Sequence, residues 1–294
     1  MSWKHSCWAA LLTLASVAAG TVEAKLVEEQ LGVPVEVVDG YGKQVTRSIV
    51  VTVFYDDAAA KPYPVAIINH GRDAEPQARA AMGRAKFSVI SGWLTQLGFM
   101  VAVPTRIGYG VSGGEDVEDS GGCNLKNYPP AYAASAVQTL KVLEAVRSRP
   151  DAAKDRAVVI GQSFGGATSI AVAALNPTGV QATINFAGGG GGNPKTQPQS
   201  PCSPALLERL FAGYGKTARI PTLWIYTEND MYFGPRLPKE WFDAFRAAGG
   251  NGEYLRFPAV GDNGHGFFTL TPATWQPKVI EFLRASGYPS LQQP

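Results

Sequence analysis

Short apolar runs alternate with longer stretches of helical periodicity along this chain, the pattern of a mostly parallel sheet flanked by helices. The runs at 48–55 (SIVVTVFY), 65–69, 99–104, 157–161, 182–186, 222–226 and 253–257 are short, apolar and bounded by turn residues, and each predicts a strand. Residues 80–97 carry apolar positions at helical spacing and stop at Gly98. Helices are also expected over 132–146, from the 157–161 strand through about Leu175, over 239–247 and over 274–285. Two long segments break the alternation. Residues 106–130 are rich in Gly, Asp and Asn and close on Pro129 and Pro130; residues 188–216 open with five glycines and include a short amphipathic piece near Leu206. Both follow a predicted strand, so both should emerge at the carboxyl edge of the sheet, where such folds place their sites. No internal repeat and no domain boundary is visible.

The first residues do not belong to this pattern. Lys4 and His5 precede an apolar run from Trp8 to Gly20, and Val22, Glu23 and Ala24 place small residues where a signal peptidase cuts. The run is shorter than the roughly 20 residues a bilayer span needs. The expectation is a signal peptide at 1–24 and a single α/β domain at 25–294, exported to a periplasm or secreted. Export leaves two cysteines, Cys123 and Cys202, one in each long loop. A disulfide between them is expected in an oxidising compartment and would pin the loops together; the alternative is two unpaired thiols.

Composition narrows the function. With 45% apolar residues in 294, the chain has ample core for one large domain. A formal net charge of +2 without any block of Lys or Arg gives no reason to expect nucleic acid or an acidic membrane as partner, and no stable membrane insertion is expected. Oligomeric state is not readable. No cofactor and no metal is expected: zinc-type cysteine spacing is absent, and the 188–192 glycine run lacks the lysine and the strand-to-helix context of a phosphate loop.

Candidate chemistry centres on a serine, and Gly-x-Ser-x-Gly occurs twice: Gly161-Gln162-Ser163-Phe164-Gly165 and Gly110-Val111-Ser112-Gly113-Gly114. A nucleophilic serine on a sharp turn needs a strand directly before it and a helix directly after, whose N–H groups and positive end face the reacting oxygen. Ser163 has both. Ser112 has neither, and reads as a turn serine. A base must accompany Ser163, and after signal removal only His70 and His265 remain. In this architecture the chain order is Ser, acid, His, which His265 satisfies in a loop before the last helix. His70 closes a strand and reads as a loop support. The acid lies between Ser163 and His265: Asp230 is favoured, just past the 222–226 strand, with Glu228 the runner-up and Asp262 the third candidate. Backbone N–H groups of Phe164 and Arg72 are assigned to an oxyanion hole, with Gly71 the alternative to Arg72. Tyr109, Tyr128, Tyr132, Tyr214, Tyr232, Phe233, Phe267 and Phe268 either line an acyl pocket or pack the loops. Arg72 or Arg106 either receives a substrate carboxylate or braces a loop.

These residues resemble the α/β-hydrolase superfamily, and within it the dienelactone hydrolase-like group with its secreted serine esterase and polyester-hydrolase relatives. The likeness rests on Asn69-His70-Gly71-Arg72, Gly161-Gln162-Ser163-Phe164-Gly165-Gly166, Glu228-Asn229-Asp230 and Gly264-His265-Gly266, across residues 48–283. It implies the α/β-hydrolase fold, a mostly parallel eight-stranded sheet with helices on both faces, and a Ser163-Asp230-His265 triad working without cofactor on small-molecule or polymeric esters. Dienelactone hydrolases use cysteine where this chain has Ser163, which favours an ester over a dienelactone. The 106–114 segment also resembles one common after the fourth strand of the superfamily. A serine peptidase or acyltransferase on the same triad, and a non-catalytic binding protein of this fold, are the competing readings.

Overall fold

Every predicted strand is present, and one more precedes them. The computed structural model describes Met1 and residues 25–291; the expected signal peptide, Met1 apart, lies outside the described residues. The elements are β1 (Leu26–Val38), β2 (Gln44–Asp56), β3 (Tyr63–Asn69), α1 (Pro76–Ala80), α2 (Ser88–Gln96), β4 (Met100–Thr105), α3 (Tyr128–Arg147), β5 (Ala152–Gln162), α4 (Phe164–Leu175), β6 (Val180–Phe186), α5 (Pro204–Gly215), β7 (Thr222–Thr227), α6 (Leu237–Ala247), β8 (Gly252–Phe257), α7 (Phe267–Leu270) and α8 (Pro272–Ala285). One eight-stranded sheet runs in the order β1-β2-β4-β3-β5-β6-β7-β8. β1 pairs β2 and β2 pairs β4 antiparallel; every later pair is parallel.

The strands in the middle of the sheet are apolar on both faces because both faces are covered. Within β5, Ala157 and Val159 join one core with Ile170 of α4 and Trp241 of α6, while Val158 and Ile160 join the other with Trp275 and Leu283 of α8. The edge strand β1 alternates instead: Val33, Val35 and Val37 are buried between exposed Pro34, Glu36 and Val38.

Two local expectations are corrected. The helix expected over 80–97 starts only at Ser88, because residues 81–87, which follow the short α1, leave helical geometry to bond the sheet. Ala85 N donates to Thr105 Oγ1 at 2.9 Å and Ala85 O accepts from Thr52 Oγ1 at 2.8 Å. Gly83 at φ +72° and Phe87 at φ +46° make the turn. Pro129 and Pro130 do not close the preceding loop. They lie in the first turn of α3, where a missing N–H costs no hydrogen bond. Among the described residues no helix is long and apolar enough to cross a membrane.

Candidate active site

Ser163 stands between the end of β5 and the first residue of α4, at φ +57° and ψ −123°, a backbone conformation that L-residues rarely adopt. It is held there by Ser163 N donating to Phe186 O at 2.8 Å and by Ser163 O accepting from Ala167 N at 3.1 Å. The flanking glycines permit the crowding: a Cβ on Gly161 would overlap the backbone of Gly165, and one on Gly165 would overlap Asn69. The end of β3 therefore meets the elbow directly. A Cβ placed on Gly71 would lie 3.2 Å from Ser163 Cβ and 3.7 Å from its Oγ.

His265 arrives from the loop after β8 and Asp230 from the turn after β7. The Asp230 carboxylate is fully buried and accepts His265 Nδ1–H at 2.9 and 3.1 Å. Its Oδ1 also takes the N–H groups of Tyr232 and Phe233, at 2.8 and 3.2 Å, so the acid is fixed by its own turn. Nδ1 is committed to Asp230, which leaves Nε2 as the imidazole's available atom. Asn263 Oδ1 ties the two loops together by accepting Met231 N at 3.0 Å and His265 N at 3.1 Å, and Gln162 Nε2 donates to His265 O at 3.1 Å. Tyr232 stacks on the imidazole with ring centroids 3.9 Å apart. The other two acid candidates, Glu228 and Asp262, are exposed and do not bond His265. No hydrogen bond joins Ser163 to His265 among the described residues; both line the same cleft.

The backbone N–H groups of Gly71, Arg72 and Phe164 donate to no backbone group among the described residues. Phe164 opens α4, where helix N–H groups lack an intrahelical partner. The Arg72 side chain turns away onto Asp116, which it meets with both guanidinium nitrogens at 2.5 and 2.7 Å, and Arg79 reaches the same carboxylate at 2.8 Å. Of its two readings Arg106 fits the loop brace and not the substrate receptor, since it is not at the cleft surface. It is fully buried with Glu118 at 2.5 Å, and its Nη1 donates to His70 O at 2.9 Å. Buried Arg106 could stay charged only with such a partner. Glu118 itself carried no sequence signal, since it sits in an acidic run indistinguishable from a solvated loop.

His70 braces this turn as expected. Its Nε2 accepts Arg106 N at 3.3 Å, which leaves Nδ1–H to donate to Gly71 O at 2.7 Å. Burial, then the nearby Arg106, hold the His70 imidazole neutral well below the usual histidine range. Ser112 is also a bonded turn residue: its buried hydroxyl donates to Thr105 O at 2.6 Å and accepts Val50 N at 2.8 Å.

A cavity of about 500 Å³ opens beside Ser163, walled by Phe164, Tyr128, Tyr232, Phe233 and the Gly189–Gly192 strip. Of the aromatic candidates, Tyr132, Tyr214, Phe267 and Phe268 pack into the core instead. The Cys123–Cys202 disulfide joins the two long loops on this cavity's wall, with Cα atoms 4.9 Å apart. In the chain-entropy account, closing a loop of 79 residues stabilises by up to about 4–5 kcal/mol. Chemically, the site offers a hydroxyl on a strained turn, an imidazole oriented by a buried carboxylate, and free N–H groups around them.

Residues 78–278, more than half of the chain, match the model of the Dienelactone hydrolase family. No curated protein matches the chain by sequence. Among solved structures, a putative dienelactone hydrolase from Klebsiella pneumoniae is similar at a TM-score of 0.56 and 16% identity, over 88% of this chain and 99% of that one. An acetyl xylan esterase from Paenibacillus sp. R4 is similar at 0.59 and 16% identity, over 90% and 88%. An esterase from Pyrococcus furiosus is similar at 0.54 and 16% identity, over 87% and 91%. At such identity these likenesses speak for the fold alone.

Proposed function

The chain belongs to the dienelactone hydrolase family and is a hydrolase of that esterase-like type; from that premise we propose that it cleaves carboxylic esters through an acyl-enzyme on Ser163. The observation that carries this is the buried Asp230–His265 pair beside a serine at a strained elbow. His265 Nε2 takes the Ser163 proton as Oγ attacks the ester carbonyl. The N–H groups of Phe164 and of Arg72 or Gly71 hold the developing oxyanion, and each such donor is worth about 2.7–4 kcal/mol in the barrier. His265 then passes the proton to the departing alkoxide, and water repeats the sequence on the acyl-enzyme. Serine in place of the family's cysteine makes the acyl-enzyme an ordinary ester.

Ser163→Ala is expected to abolish turnover of a p-nitrophenyl ester and labelling by a fluorophosphonate probe, with the melting temperature preserved. Turnover surviving in that variant would overturn the assignment.

Residues 25–294 are proposed to be a single exported domain, released by cleavage after Ala24. The apolar leader and the Cys123–Cys202 disulfide support this. Terminal sequencing of the exported protein should begin at Lys25; a mature chain that keeps residues 1–24 would contradict it.

A further inference from the structure

The cleft at Ser163 consists of two spaces that share Arg72, Arg79, Ser163 and Tyr232 but differ in which of His265 and Phe164 they touch. The larger, about 500 Å³, touches Phe164 and the glycine strip and does not touch His265. The smaller, about 270 Å³, is lined by His265, Gln162 and Gly71 and does not touch Phe164. An ester carbon bonded to Ser163 has two substituents to place, and chemistry distinguishes them. The leaving oxygen must come within hydrogen-bond reach of the imidazole that protonates it, so it belongs on the His265 side. The acyl chain then has only the larger chamber.

That chamber has a definite character. A Cβ at Gly189 would come within 2.8 Å of Phe233, one at Gly190 within 2.7 Å of the Tyr132 hydroxyl, and one at Gly192 within 2.9 Å of Tyr232. The strip is therefore glycine because aromatic rings pack against it, and it contributes a wall bare of side chains. Tyr128, Phe164, Tyr232 and Phe233 supply ring surface beside it. The same lining also carries polar groups, Asn193, Thr196, Gln197 and Ser120, and the cationic Lys126. The two guanidinium groups of the chamber, Arg72 and Arg79, both point onto Asp116.

Building on the ester-hydrolysis reading, we propose that the larger chamber is the acyl subsite and takes a planar aromatic acyl group bearing neutral hydroxyl substituents, while the alcohol leaves through the His265 lobe. Ring faces meet the aromatic wall and the glycine strip, and the hydroxyl groups meet the amide and hydroxyl side chains of the same lining. An acetyl group leaves most of the chamber unfilled. In the reaction the bond from acyl carbon to alcohol oxygen breaks as the bond to Ser163 Oγ forms, the serine proton leaves with the alcohol, and water releases the hydroxylated aromatic acid.

The test uses two esters with the same leaving group, p-nitrophenyl acetate and p-nitrophenyl 4-hydroxycinnamate, with kcat/KM normalised to each ester's alkaline hydrolysis rate. A preference of about tenfold or more for the hydroxycinnamate is expected, the scale of discrimination a shaped pocket gives; parity or a preference for acetate overturns the proposal. Thr196, exposed on the chamber's rim, makes no side-chain hydrogen bond among the described residues. Thr196→Trp should lower the hydroxycinnamate-to-acetate ratio by about tenfold, and an unchanged ratio counts against the acyl assignment. Parent activity that prefers acetate and is lost in Ser163→Ala sinks the subsite alone; turnover that survives Ser163→Ala sinks the ester mechanism itself.

Discussion

Ser163 and Ser112 share a five-residue pattern and almost nothing else. At Ser163 the glycines let a strand, a helix and the end of β3 crowd one point, and the serine backbone is left at φ +57°. Such a conformation costs on the order of 1–3 kcal/mol and persists only where surrounding contacts over-determine it. At Ser112 the glycines serve a short helical turn, Gly110–Ser112, packed on Gly83. There the hydroxyl is consumed, bonded to Thr105 O on one side and Val50 N on the other. The lesson is that the pattern specifies close backbone approach, and the neighbouring elements decide whether the hydroxyl is presented or used up.

The sharpest way to break the comparison is to disturb only the partners of Ser163. Asp230→Asn keeps an oxygen for the Tyr232 and Phe233 N–H groups but can turn the His265 tautomer, so that Nε2 carries the proton it should receive. By the proposed mechanism kcat on a p-nitrophenyl ester should fall by roughly ten-thousand-fold, with the fold retained. A fall of less than about tenfold, in the same assay, would mean that His265 does not depend on this acid.

Much of this was legible in the residues because few alternatives existed. Three histidines, one of them in the expected signal peptide, left His265 almost without a competitor, and the strand-then-helix context separated the serines. What the sequence hid has physical reasons. β1 was readable in principle, since Leu31, Val33, Val35 and Val37 alternate, but it is an antiparallel edge strand of half-polar composition. The late start of the helix expected over 80–97 is set by tertiary bonds from Ala85 to β2 and β4, which no local periodicity encodes. The Arg106–Glu118 pair was missed for the same reason, because an acidic loop and a lone arginine acquire meaning only once folding buries them together. Tyr232 was visible as an aromatic near the site, but its stacking on His265 follows from the turn that Asp230 organises.

Ser112→Ala tests the other half of the comparison, with the opposite signature. It strips a donor from Thr105 O and an acceptor from Val50 N in a buried place, and losing such partners costs about 1–3 kcal/mol. Thermal or denaturant unfolding should report that loss, while kcat per folded molecule stays close to the parent value. A large drop in kcat with stability intact would give Ser112 a role that its hydrogen bonds do not suggest.

The smallest expected effect concerns His70, which stands between the two regions. Its Nε2 accepts from Arg106, at the start of the loop that carries Ser112, and its Nδ1–H holds Gly71 O beside Ser163. The edge of its ring meets Tyr109 at 4.5 Å between centroids, and the Arg106 guanidinium, bonded to His70 O, is the nearby charge that acts against its protonation. Folded, the imidazole stays neutral far below 6.5; unfolded, it takes a proton as the pH falls through about that value. In the window just below 6.5 the unfolded chain therefore binds more protons, and stability rises with pH. The contribution is fully present above the unfolded value and drains away as the pH falls toward the folded one. Asp119 and Asp151, whose carboxyls are held below 3.8, titrate under this window and do not contribute to it. His70→Asn keeps a donor for Gly71 O and removes the titration, so its melting temperature should fall less between about pH 7 and pH 5 than the parent's does. An equal fall in both proteins would show that the pH sensitivity comes from elsewhere.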